Sequence, residues 1–409
     1  MLNQKNFFML LSFLTAKLVA FLGPIWIAYN YNSQFYGEME YYLSIGVWLG
    51  MLLGAGIPGA IPVRVIKENS FIISLVVNVL LIFVFLLIFL LLLLFPGYEF
   101  LLLIVFLCFS QQLIVSLLKS TRKSLFTPWV ENLALNIVVF SSVLSFMLLN
   151  SDVVWVSWGM GIGSFLIVLF ACIKLYFQRE LFLLQGFFEE LWCSLKIGGP
   201  ILLNGIAMMG VFNSGRPLFG LVFGAAEVAT YAYAFRVAGI GYVVYQFFNL
   251  VFFREFYKLN NEVVSAKMQY LSAFISMAFV LVYMFFFWFP ELTPSSLNQE
   301  LLLGIFPIVF AQINFWIFGA VLETRINANG MTLKSLPYAV FVCIVLVVSI
   351  SVFLLNDGKS EYIFCLVLLI VEIIGVGFQL YILNRDGCDN FKYKWFFLGA
   401  ILPLIFYFL

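Results

Sequence analysis

Residues 71 to 95 read FIISLVVNVLLIFVFLLIFLLLLLF, an apolar run without one ionisable side chain. At about 1.5 Å of rise per residue, a helix of that length crosses the hydrocarbon core of a bilayer, roughly 30 Å thick. The run predicts a transmembrane helix. Comparable stretches flank it near 6–30, 41–63, 100–118, 128–149 and 153–177, and again near 197–222, 227–253, 267–290, 300–323, 335–355 and 361–383. Twelve spans result. A last apolar piece, Trp395 to Leu409, is either a short thirteenth span or a segment lying in the interface.

The whole chain agrees with its most apolar part. Its 409 residues are 64% hydrophobic and 10% charged, with a mean hydropathy of +1.09, whereas an ordinary soluble domain carries about 25% charged residues. The fold class is therefore all-α integral membrane, with about 12 transmembrane helices. The absence of histidine removes His-based triads, His metal ligands and the usual proton shuttle. A net charge of +1 gives no footprint for nucleic acid. The six cysteines form no C-x-x-C pair and lie mostly inside apolar runs, so neither a disulfide nor a metal site is expected.

Basic residues test the span map, because Lys and Arg gather in cytoplasmic loops. Of the 21, seventeen fall on one side of the map, Lys359 falls on the other, and Lys17, Arg216 and Arg236 lie inside spans. This alternation places the N-terminus in the cytoplasm. The first span has no small-x-small cleavage site and reads as retained. Loops are too short for a soluble catalytic or ligand-binding domain, so function must lie within the membrane.

The spans divide as a six-helix lobe over 1–177, a cytoplasmic connector over 178–196, a six-helix lobe over 197–383, and a tail over 384–409. An even number of spans per half gives both halves one orientation, as in parallel transporter repeats. Local sequence supports a duplication. Gly23-Pro24 is followed by Tyr36-Gly37 and Tyr41 in one half, and Arg216-Pro217 by Val228-Ala229 and Tyr233 in the other. Prolines 24 and 217, matched across the repeat, each free a backbone carbonyl and suggest bendable helices.

An ionisable group at the bilayer centre costs about 2.5–3.5 kcal/mol on insertion scales, so those inside spans are functional candidates. Lys17 lies near the midplane of the first span; Arg216 and Arg236 occupy the outer half of the seventh and eighth. Asn213 is one turn from Arg216 and would share its face. Glu372 is the carboxylate near mid-span, with Gln379 two turns further on the same face, which suits a coupling-ion site; an ion pair with one of the three cations is the structural alternative. Glu131, after Pro128, reads as a first-turn carboxylate favoured by the helix dipole. Uncharged polar residues inside spans, including Asn78, Gln111, Gln112, Asn136, Asn204, Gln246, Asn249, Gln312 and Asn314, could together line a wet cavity, while each taken singly reads as an interhelical hydrogen-bonding group. Gly46, Gly50 and Gly54, and likewise Gly159 with Gly163, read as packing faces. Gly358-Lys359-Ser360 lacks the leading glycine of a phosphate loop.

Twelve spans as two parallel sixes, minimal loops, the Gly-Pro then Tyr-Gly run at 23–37 and cations on spans 1, 7 and 8 resemble the Wzx-type O-antigen flippases of the multidrug/oligosaccharidyl-lipid/polysaccharide exporter superfamily. The resemblance implies two six-helix lobes around a central cavity. It implies movement of undecaprenyl-diphosphate-linked oligosaccharide from the cytoplasmic to the periplasmic leaflet by alternating access, in the bacterial inner membrane, as a step of O-antigen and lipopolysaccharide biosynthesis. Lys17, Arg216 and Arg236, with Asn213, would bind substrate; Glu372 and Gln379 would hold a coupling H+ or Na+. Membrane lipids and polysaccharide assembly proteins would be the partners. No covalent step is implied, so neither enzymatic activity nor a cofactor is expected. A cation-coupled multidrug exporter of the same superfamily is the nearest alternative. An integral-membrane glycan-modifying enzyme should show a large outer loop or a catalytic histidine, and this sequence has neither.

Overall fold

The computed structural model describes residues 4–70, 72–121, 126–149, 153–177, 186–239, 297–355 and 360–385, with isolated residues between 242 and 295 and two near the C-terminus. Among the described residues all regular structure is helical. The helices are α1 (Gln4–Asn30), α2 (Ser33–Leu53), α3 (Ile57–Pro62, continued by a π-helical turn Val63–Lys67), α4 (Ile73–Leu94), α5 (Glu99–Ser120), α6 (Thr127–Val130) and α7 (Leu133–Leu149). They continue with α8 (Val153–Phe177), α9 (Phe187–Phe212), α10 (Gly215–Phe223), α11 (Ala225–Ala238), α12 (Gln299–Ala328), α13 (Thr332–Leu355) and α14 (Glu361–Arg385). Eight are long and apolar enough to cross a membrane, or nine if the bent α2–α3 pair is one span. The protein is an all-α, multi-spanning membrane protein. The expected span at 267–290 and the piece from Trp395 lie, but for isolated residues, outside the described residues.

Two compact units form. The first holds Met1–Tyr31 and Tyr42–Leu203, the second Asn32–Tyr41 and Asn204–Leu409. One boundary, Tyr31/Asn32, falls between α1 and α2, and the other two fall inside helices: α2 gives its first turns to the second unit and the rest to the first, and α9 is divided at Leu203.

In the first unit α4, α5 and α3 bury Val76, Val77, Phe106, Phe109, Ile57 and Ile61. The opposite side of α4 leaves Leu86, Phe89, Leu90 and Leu93 exposed, as a lipid-facing surface requires. The glycine stripes are packing faces. A side chain at Gly46 or Gly50 would meet Ile104 or the Phe109 backbone on α5, and one at Gly159 or Gly163 would meet Ser141 or Ile137 on α7. Gln112 adds a hydrogen bond across the α2–α5 seam, its Nε2 donating to the Val47 carbonyl at 3.0 Å.

In the second unit α12 is the central helix, buried along most of its length, with α11, α13 and α14 packed around it. Phe219, Tyr231 and Phe364 are fully or almost fully buried. Phe219 stacks on Tyr231 at 4.8 Å between centroids and meets Phe364 edge-on at 5.6 Å.

Three expected spans are interrupted. The second bends by 65° between α2 and α3, where Gly56 has φ +81°. There a Cβ would overlap the Gly198 carbonyl of α9, so glycine serves both the left-handed backbone and the close approach. The fifth breaks at Glu131-Asn132, between α6 and α7, and the seventh at Asn213-Ser214, between α9 and α10. Two helices also start earlier than the apolar pattern implies. α2 begins at Ser33 and not near 41, because the Asn32 side chain accepts the Phe35 N–H at 2.7 Å and caps it. α9 begins at Phe187, ahead of 197. Glu190, in its first turn, is gripped by Arg64 through Nε at 2.8 Å and Nη2 at 2.6 Å, and accepts from the Ser70 hydroxyl at 2.8 Å. Arg64 also pairs with Glu68.

Candidate functional site

The early start of α2 changes the electrostatics of the second unit. It carries Glu40 into the core, where the residue is wholly buried. Glu40 Oε1 accepts from Arg236 Nε of α11 at 2.7 Å, and Oε2 accepts from Arg216 Nη1 of α10 at 2.8 Å. Gly37, one turn before, brings α2 against the Ala225 backbone at the head of α11, where a Cβ would overlap the carbonyl. The Arg216 guanidinium lies 4.9 Å from the centroid of the Phe235 ring, a cation–π contact strengthened by desolvation. The Tyr36 hydroxyl is buried beside Arg236 and makes no hydrogen bond of normal geometry. Two guanidinium groups share one carboxylate, so among the described residues the cluster keeps one positive charge in excess.

A second ionic cluster stands in the first unit. Lys17 Nζ of α1 lies 3.1 Å from Glu131 Oε2, and Lys119 Nζ, near the end of α5, lies 2.7 Å from Oε1. Side-chain exposures of 5%, 9% and 11% for Lys17, Glu131 and Lys119 show that both pairs are largely withdrawn from solvent. Glu131 is therefore more than a first-turn carboxylate: it sits in the break between α6 and α7 with both oxygens taken. Polar side chains fill that break. Gln111 Oε1 accepts the Ala134 N–H at 3.0 Å, and Asn136 Nδ2 donates to the Trp129 carbonyl at 3.1 Å, meeting orphaned backbone groups at the interrupted helix.

All three cations expected inside spans thus pair with carboxylates that the apolar pattern placed at the edge of a span (Glu131) or just outside one (Glu40). The alternative for Glu372, an ion pair with one of them, does not form. Glu372 is 4% exposed and Gln379 fully buried. Glu372 Oε2 and both amide atoms of Gln379 have no hydrogen-bond partner among the described residues. Both lie on the buried face of α14 with Cys365, whose carbonyl accepts from Gln312 Nε2 at 2.8 Å. The Tyr231 hydroxyl donates to Gln312 Oε1 at 2.9 Å. Gln312 is the interhelical connector that its type suggested, as is Asn204, whose Oδ1 accepts from Ser335 Oγ at 2.8 Å.

Asn213 does not share a helix face with Arg216, because the helix ends at Phe212 and resumes at Gly215. It is half-buried in the break, with its N–H donating to the Met209 carbonyl at 2.8 Å. The residue that sequence reasoning missed is Glu40, and the signal was present in Asn32, a helix-capping residue eight positions ahead of it.

These features define an integral-membrane helical protein with ionic clusters buried in each of two units. No protein-family model matches the sequence, and no curated protein matches it. Solved structures do. An outward-facing multidrug resistance MATE family transporter of the MOP superfamily aligns over 93% of both chains at 16% identity with a TM-score of 0.62. A MATE structure in complex with MaD3S aligns over 92% of this chain and 93% of its own at 15% identity, TM-score 0.61. One in complex with Br-NRF covers 93% and 94% at 14% identity, TM-score 0.57. At these identities the likeness is one of fold: the chain has the fold of MATE transporters of the MOP superfamily.

Proposed function

We propose that this protein is an alternating-access membrane transporter whose substrate carries an anionic group, a lipid-diphosphate-linked oligosaccharide passed from the cytoplasmic to the periplasmic leaflet of a bacterial inner membrane, with the N-terminus cytoplasmic. The observation that carries the reading is the excess positive charge of the Arg216–Arg236–Glu40 cluster. Guanidinium forks match phosphoryl oxygens in geometry, and a site withdrawn from water strengthens the attraction. Lys17 is the third candidate cation, Asn213 lies three residues ahead of Arg216 in sequence, and sugar hydroxyls would meet amides and aromatic faces. Glu372 with Gln379 is the coupling-ion site: a buried carboxylate beside an amide with open valences suits H+ or Na+. Polysaccharide assembly proteins of the O-antigen and lipopolysaccharide route would receive the product.

Cation-coupled multidrug export is the second reading, and the fold neighbours favour it, since one of them is a multidrug resistance transporter by description. Reconstituted protein separates the two. The lipid-diphosphate reading expects movement of a fluorescent lipid diphosphate across the vesicle bilayer, abolished by Arg236→Ala or Lys17→Ala in protein that still folds. Normal movement by both variants defeats the assignment. Transport of a cationic dye, with no response to lipid diphosphate, would establish the second reading in its place.

A further inference from the structure

Glu40 holds both arginines by the two oxygens of one carboxylate, in the manner a phosphoryl group would be held. We propose that Glu40 is an exchangeable internal anion: it occupies Arg216 and Arg236 when the site is empty and is displaced by the anionic group of the substrate. The inference rests on the lipid-diphosphate reading and adds to it how the site is held while empty.

Charge balance supports exchange over joint occupancy. Two arginines against one carboxylate leave the empty cluster at a single positive charge. A diphosphate diester carries one negative charge on each phosphoryl group, so it neutralises the arginines in place of Glu40. With Glu40 retained as well, the buried site would carry an uncompensated negative charge, which a low-dielectric interior disfavours. Each arginine uses one of its five N–H donors on Glu40, and both keep 17% side-chain exposure while Glu40 has none. The Tyr36 hydroxyl, buried beside Arg236, adds a donor that Glu40 does not use.

The covalent setting suits a removable group. Glu40 belongs to the first turns of α2, Asn32–Tyr41, which associate with the second unit, while the same helix continues as part of the first from Tyr42. The carboxylate is thus mounted on the element that both units share, and the arginines on α10 and α11 belong wholly to one. Withdrawal of Glu40 would displace those few turns and with them the close seat of Gly37 on the Ala225 backbone at the head of α11.

The test is equilibrium binding of farnesyl diphosphate to the full-length protein in detergent, with farnesol as the uncharged control. Glu40→Gln removes the competitor, so farnesyl diphosphate should bind about tenfold tighter or more, with farnesol unchanged. Glu40→Asp keeps the charge but shortens the reach and should give a smaller gain; it carries the test if Glu40→Gln is not recovered folded. If both Glu40 variants bind farnesyl diphosphate no better than wild type while Arg216→Gln and Arg236→Gln lose binding, Glu40 merely positions the arginines and the exchange is wrong although the lipid-diphosphate reading survives. Binding that is absent in wild type and in every variant removes both.

Discussion

Glu372 and Gln379 stand two turns apart on the buried face of α14, and neither the Glu372 Oε2 atom nor the Gln379 amide has a hydrogen-bond partner among the described residues. Buried polar atoms in native proteins are nearly always satisfied, and this pair of open groups on one face is what supports the proposal that they form the coupling-ion site.

Replacing Glu372 by Gln keeps the shape and removes the ionisable group. The variant should fold at least as stably as wild type, because no cation is left unpaired, but its transport should no longer respond to an imposed H+ or Na+ gradient. Transport rates in proteoliposomes with and without each gradient decide it, and an unaltered gradient dependence rules out Glu372 as the coupling group.

The Lys17–Glu131–Lys119 cluster predicts an asymmetry between its members. Glu131→Ala removes the carboxylate that two largely buried ammonium groups share and should cost about 3–5 kcal/mol. Lys17→Met leaves Glu131 still paired with Lys119 at 2.7 Å and should be much milder. Thermal melts followed by tryptophan fluorescence compare the two. Equal losses would mean that Glu131 is not the shared counter-charge.

At Gly56 an alanine meets two penalties. The positive φ costs about 1–2 kcal/mol for a residue with a Cβ, and the added methyl overlaps the Gly198 carbonyl. Gly97, whose φ is +98° but around which a Cβ finds open space, carries the first penalty alone. Gly56→Ala should therefore lower the melting temperature more than Gly97→Ala, and equal shifts would show that α9 does not press on that bend.

How much of this was readable beforehand depended on what hydropathy measures. It reports length and average greasiness, and where those decide the outcome it served well: α8 spans Val153–Phe177, the same limits as the apolar stretch, and α4 differs from 71–95 by two residues at the start and one at the end. It is blind to pairing. Glu40 sat one residue outside the expected second span and so looked solvated, yet it neutralises two arginines in the core. The same averaging concealed the breaks at Glu131-Asn132 and Asn213-Ser214, since two helical segments and one helix have the same mean hydropathy. Asn32 as a cap, and Pro128 opening a one-turn helix, were the local signs that could have shifted those limits.

Two arginines share the one carboxylate of Glu40, so among the described residues that cluster carries one uncompensated positive charge within the membrane-spanning helices. Moving such a charge through a membrane potential is electrical work, about 2.3 kcal/mol per elementary charge for every 100 mV when the full field is crossed. Any conformational step that displaces this cluster along the membrane normal is thereby sensitive to voltage, and neutralisation by a bound anion would switch that sensitivity off.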